Sequence, residues 1–212
     1  MSTVRSVRCL LITKKLTMKT VNIEGKVRTS TGKSASNAIR KQGNIPCTLY
    51  GLGANINFEV PESALTSIIY TPDFFKVNVT IEGNSYETLI KDMQFHGVTD
   101  KLLHVDFFQL DPSKKVLAEI PLFPKGLSVG VKAGGKLVQK IRKVKVKGLP
   151  KDLVDKLYVD VTHLEMGRSV RIGDIEAPNL EVMGAPAIPA ITCTIPRSMR
   201  SKAAADAKKE DA

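Results

Sequence analysis

The sequence predicts a mainly β protein in two parts, a small closed or half-closed β-structure with two short helices followed by an all-β second domain. Three observations predict it. Short apolar runs with period-two alternation recur along the chain, punctuated by Gly, Pro and Asn. Only residues 34–43 and 61–70 read as helices, and both are short. Beyond residue 115 the chain becomes richer in Val, Ile, Gly and Pro, with no long helical pattern.

"VNIEGKVR", 21–28, alternates and predicts a strand, and "TSTGK", 29–33, a loop that turns at Gly32. "SASNAIRKQG", 34–43, predicts a helix with Ser34 as its N-cap and Gly43 as its stop. Strands are expected at 45–51 and 56–60, on either side of the Gly-rich "GLGAN". Pro61 opens the second helix, 61–70. "FFKVNVTI" and "SYETLIKDMQF" flank Gly83-Asn84, a tight hairpin signal. "LLHVDFFQL", 102–110, completes the first domain, 18–111, and "DPSKK", 111–115, reads as a boundary. Strands of the second domain, 112–197, are expected at 115–120, 136–147, 157–161, 168–172 and 187–195. Residues 1–17 are basic and acid-free, a pattern shared with transit peptides. Strand patterning starts only at Met18, so a disordered arm or a misassigned start is the favoured reading. Residues 198–212 are small and charged without an apolar face and predict a disordered tail.

Charge narrows the function. The chain of 212 residues carries a net charge of +11, which points to a polyanionic partner. That charge is uneven. Residues 19–41 hold six basic residues against Glu24 alone, whereas residues 42–111 hold three lysines against nine acids. The first domain is therefore near neutral with one basic end, suited to holding a defined surface against phosphate. Residues 125–151 add nine Lys and Arg with no acid. Within "IRKVKVK", Lys143, Lys145 and Lys147 alternate with Val144 and Val146, so the lysines share one face. Such a stripe is usually a solvated face. Nine unopposed charges would also bind an RNA backbone with strong salt dependence.

Other classes are disfavoured. No run approaches the ~20 apolar residues of a membrane span. Cys9, Cys47 and Cys193 are odd in number and far apart, against a disulfide scaffold or a Cys-based zinc site. "TGKSAS", 31–36, resembles part of a nucleotide-binding loop, but Gly25 and Gly32 stand too far apart for the full pattern. A loop of small residues with Lys33 opening a helix can still hold a backbone phosphate, and its plain alternative is a capped turn.

The strand 102–110 is the sharpest feature. One face carries Leu103, Val105 and Phe107, and the other carries His104 and Asp106 framed by Leu102, Phe108 and Leu110. Catalysis or metal binding needs a third group, and none is evident. Two readings stay open from the residues alone: a satisfied polar pair at a barrel edge, or contact with RNA base edges and 2′-hydroxyls. Tyr50 either stacks on a base or packs on the core, and alone favours packing.

"VRTSTGKSASNAIRKQGNIPCTLYG", 27–51, and "IKDMQFHGVTDKLLHVDF", 90–107, together resemble the family of bacterial large-subunit ribosomal proteins that bind 5S rRNA, the twenty-fifth of that subunit. "GVKAGGKL", 130–137, and "KGLPKDLVDKLYVDVTHLEMGRSVRIGDI", 147–175, resemble the second domain of its longer, two-domain form, the general stress protein CTC family. The resemblance covers residues 19–196. It implies a six-stranded β-barrel with short helices that docks on the loop E region of 5S rRNA. It also implies a cytoplasmic, ribosome-bound, bacterial protein, present as a monomer, without cofactor, with large-subunit proteins and 23S rRNA as further partners. Carried over by position, RNA contacts fall on Arg28, Lys33, Ser36, Arg40, Tyr50, His104 and Asp106. Where the family's helix usually carries two basic residues, this chain has Asn37 and Ala38. Lys143, Lys145 and Lys147 are candidates for a compensating, secondary contact. The expected function is structural and non-enzymatic. Its competitor is a free RNA-binding stress factor with no fixed place on the ribosome.

Overall fold

The computed structural model describes residues 18–196 except 54, 176 and 178. The expected arm, 1–17, and tail, 198–212, lie outside the described residues. The first domain is a closed barrel of six strands, β1 (Lys19–Val27), β2 (Asn44–Tyr50), β3 (Ile56–Pro61), β4 (Phe75–Ile81), β5 (Asn84–Phe95) and β6 (Leu102–Gln109). Round the barrel the order is β1-β3-β2-β6-β5-β4, and β4 closes on β1. The pairs β1–β4 and β2–β6 are parallel and the rest antiparallel. Closure leaves no free edge. Inward residues fill the interior, with Phe58 and Phe107 fully buried and their ring centroids 5.6 Å apart.

Two short helices decorate the barrel, α1 (Lys33–Lys41) and α2 (Glu62–Ile69). Helix α1 begins one residue before the expected cap. Gly32, not Ser34, is the N-cap, and the Ser36 amide donates to the Gly32 carbonyl. Its stop is as expected: Gly43 lies in the left-handed region at φ +80° and donates to the Arg40 carbonyl. The hairpin turn is Glu82-Gly83, one residue earlier than the Gly83-Asn84 signal suggested. Both turn residues have positive φ, and Asn84 already pairs with Ile81.

The second domain is built from β7 (Val116–Lys125), β8 (Lys136–Gln139), β9 (Lys143–Gly148), β10 (Leu157–Asp160), β11 (Ser169–Arg171), β12 (Glu181–Met183) and β13 (Pro189–Thr194). One sheet runs β10-β7-β9-β12 and the other β11-β13-β8. The expected single strand 136–147 is therefore two strands in different sheets. Between them the amides of Lys140 and Ile141 both donate to the Ala190 carbonyl, which turns the chain a corner. The single-turn helix α3 (Val129–Lys132), capped by the Ser128 hydroxyl, and a 3-10 turn at Ile172–Asp174 interrupt the strands of this domain.

The domains share a junction. Leu89 and Leu110 belong to the core of the second domain, with Met18, Phe74 and Phe108 packed against it. Phe108 and Leu110 thus pack on the second domain, whereas Leu102, expected on the same face, is buried in the barrel core. A polar clasp adds to this packing. Asp73 lies 2.7 Å from Lys19 Nζ and 2.6 Å from Lys156 Nζ, and the Lys19 amide donates to Asp155 at 3.0 Å. Lys156 and Lys19 hold the Asp73 carboxyl below the usual carboxylate range, whereas burial pushes that of Asp155 up. Because the folded value of Asp73 is depressed, its stabilisation is complete above the unfolded value of about 3.9 and lost as pH falls through the folded value. Asp155 has the opposite sign. The expected result is that Asp73→Asn flattens the fall of unfolding free energy below about pH 4, measured by urea denaturation across pH.

Candidate nucleic-acid interface

The basic segment and the His–Asp strand meet. Helix α1 has no buried residue, so apolar burial alone does not fasten it. Instead Arg40 Nε donates to the Leu103 carbonyl at 3.1 Å, which ties the last turn of α1 to β6 one residue before His104. Arg40 and Lys41 in that turn also face the negative end of the helix dipole favourably. Asn37, standing where the family pattern has a basic residue, accepts from Arg40 Nη1 at 3.3 Å. It steers that guanidinium instead of adding a charge. Arg28, just past the end of β1, donates from Nη1 to Ser36 Oγ at 3.4 Å, while its buried Nε meets no acceptor among the described residues. Lys33 opens α1 and is exposed.

His104 and Asp106 lie on the outer face of β6, with side chains 22% and 28% exposed. His104 Nδ1 is 2.8 Å from Asp106 Oδ1, and His104 Nε2 is 3.3 Å from Thr48 Oγ1 on β2. Thr48 in turn donates to Asn57 Oδ1 on β3 at 3.2 Å. On the other side, register sets Asp92 of β5 opposite Asp106 and Gln94 opposite His104. Four adjacent strands thus present one polar face. Thr48, Asn57, Asp92 and Gln94 were not singled out from sequence. For Thr48 a signal existed, since it lies two residues from Tyr50 in one strand and must share its face. The other three become neighbours only through register.

Tyr50 is half-buried and packs edge-on against Phe108, with centroids 5.8 Å apart. Burial pushes its phenol up, and the carboxylates of Asp106 and Asp92 add to the shift. The hydroxyl therefore stays protonated at neutral pH and keeps a donor for a partner. Cys47, behind this face, is fully buried, and burial pushes its thiol up against a weaker pull from Arg28. It is inert packing.

The lysine stripe differs from expectation in one respect. Val144 and Val146 are buried and Lys143, Lys145 and Lys147 are exposed, as the alternation implies. The charges are not unopposed. Lys145 pairs with Glu119 at 3.7 Å, and Lys147 stands opposite Glu181 in the β9–β12 register. These acids come from strands distant in sequence.

Comparisons with known proteins assign the class. Residues 23–107 match the Ribosomal L25p family, and residues 115–197 match the C-terminal domain of ribosomal protein TL5, so both domains are of ribosomal-protein type. Large ribosomal subunit protein bL25 of Cytophaga hutchinsonii is 43% identical over 192 residues, covering 91% of this chain and 100% of the relative. Proteins of the same name from Phocaeicola vulgatus and Bacteroides thetaiotaomicron are 40% and 39% identical, covering 89% and 90% of this chain and 98% and 100% of theirs. The chain belongs to the ribosomal L25p family, whose members are structural and non-enzymatic. That membership argues against a catalytic role for His104 and Asp106.

Proposed function

We propose that this chain is a structural protein of the bacterial large ribosomal subunit, bound on the ribosome in the cytoplasm, and that its barrel docks on 5S rRNA at loop E. The observation that carries the docking mode is the Arg40 Nε bond to the Leu103 carbonyl, which holds the basic helix beside the His104–Asp106 pair. The two parts suit different parts of an RNA. Arg28, Lys33, Ser36 and Arg40 supply the donors that phosphates take, and such contacts set register and orientation. Asp106, His104 and Tyr50 form a face with carboxylates, which repels phosphate and favours donors. The shallow minor groove of RNA offers them as 2′-hydroxyls and guanine amino groups. The protein acts as a monomer without cofactor, with neighbouring large-subunit proteins and 23S rRNA as further contacts.

Lys143, Lys145 and Lys147 are the proposed secondary RNA contact. Lys143 and Lys145 line a cleft of about 410 Å³ at the domain junction, and Asp92 of the polar face lines it too. RNA leaving the polar face would meet this wall of the second domain. Replacing Lys143 and Lys145 together with Ala is expected to lower the salt slope of RNA binding by about one to two units, measured by titration at several salt concentrations. An unchanged slope would leave the stripe as a solvated, acid-paired face.

Sedimentation tests the ribosomal place. One copy per large subunit, retained through a high-salt wash that strips loosely bound factors, is the expected result. Absence from large subunits, with the chain in free RNA-bound form, would favour a stress factor without a fixed ribosomal site.

A further inference from the structure

Thr48 carries a role beyond the RNA contacts assigned above. It is the Cα partner of Asn57 on one side and of Asp106 on the other, so register alone brings its hydroxyl between the two neighbouring strands. A threonine hydroxyl has one proton. Here that proton is donated to Asn57 Oδ1 at 3.2 Å. The same hydroxyl lies 3.3 Å from His104 Nε2, a contact in which the ring's tautomer sets which partner donates. On the far side of the ring, Nδ1 is 2.8 Å from Asp106 Oδ1. Both ring nitrogens are engaged within the protein, and one Asp106 oxygen is engaged with them.

We propose that Thr48 and Asn57 are positioning residues for RNA recognition: they anchor the His104 ring through its Nε2, and the ring holds Asp106 with its second carboxylate oxygen turned to the RNA. The proposal rests on the reading of this face as the RNA-facing surface. His104 is then a strut more than a reader. A χ2 rotation of His, like other sp³–sp² torsions, is broad and weakly restrained, so an unanchored ring would wander and take the carboxylate with it. The relay fixes it at both ends. It also explains why a polar side chain sits at position 48, in a strand whose neighbours Cys47 and Leu49 are buried.

Thr48→Val keeps the shape of the side chain and removes only the hydroxyl. In the full chain it is expected to weaken 5S rRNA binding about five- to tenfold, the loss of one net hydrogen bond, with the salt slope unchanged because no cation is removed. Thr48→Ser should restore affinity. The second readout needs no RNA. In free protein labelled with ¹⁵N, the His104 Nε2 resonance should have the chemical shift of a hydrogen-bonded nitrogen, kept in Thr48→Ser and displaced in Thr48→Val. Unchanged affinity in Thr48→Val overturns the proposal. So does tighter binding, which would mean that Thr48 competes with RNA for Nε2, and so does an Nε2 chemical shift that Thr48→Val leaves unchanged. If the unmodified chain fails to prefer 5S rRNA, the reading of the face falls, while the Nε2 chemical shift still decides the relay.

Discussion

Asp106→Asn is expected to weaken 5S rRNA binding by about 10- to 100-fold while leaving the salt slope where it was. The size follows from the loss of one groove-reading contact, roughly 1–3 kcal/mol. Asp106 accepts from His104 Nδ1 through one oxygen, and its side chain stays 28% exposed. A carboxylate is an acceptor only, whereas a carboxamide puts a donor at one of its two positions. Asparagine must either turn its NH2 toward the ring, opposing the donor there, or turn it toward the 2′-hydroxyls and amino groups it should accept from. Neither orientation serves both partners. Asp106 neutralises no phosphate, so the slope is insensitive to it. Loss of affinity through unfolding is not expected, because Asp92 stands directly opposite Asp106 and removing one of two facing like charges relieves repulsion. Unchanged affinity would mean that the pair is a satisfied polar contact on a face that RNA never meets.

Arg40→Ala is the second large effect, and its signature differs. Affinity should fall about tenfold and the salt slope by about one unit, because a phosphate contact is lost. A further loss follows from the tether. With no buried residue in α1, removing the Arg40 bond to Leu103 loosens the whole basic segment from β6. Arg40→Lys separates the two contributions. It keeps the charge but has no planar guanidinium to reach the Leu103 carbonyl while also facing phosphate. The expected outcome is a salt slope like that of the unmodified chain with affinity between it and Arg40→Ala. Affinity and slope both unchanged in Arg40→Ala would show that the helix does not touch RNA.

Much of the barrel could be read from the chain because its strands alternate and its turns carry Gly. The pair His104 and Asp106 could be found for a related reason, since two polar residues on alternate positions of an apolar strand cannot both enter a core. What escaped sequence reading depends on register between distant segments. Asn57, Asp92 and Gln94 are ordinary polar residues until β3 and β5 bring them beside β2 and β6. The acids facing the lysine stripe, Glu119 and Glu181, likewise reach it only by cross-strand pairing. Phe108 and Leu110 read only as the apolar frame of the His104–Asp106 pair, and their packing partner, the second domain, comes into view only in the fold. The break of 136–147 was hidden because both halves alternate with the same period, and only the Ala190 carbonyl marks the corner.

The most direct test of the account is binding of the full chain to 5S rRNA over a range of salt concentrations, against a duplex of equal length lacking loop E. Docking by a basic segment together with a groove-reading polar face predicts tight binding that prefers 5S rRNA and persists as salt rises. Weak binding, equal for both RNAs and vanishing with salt, would contradict it.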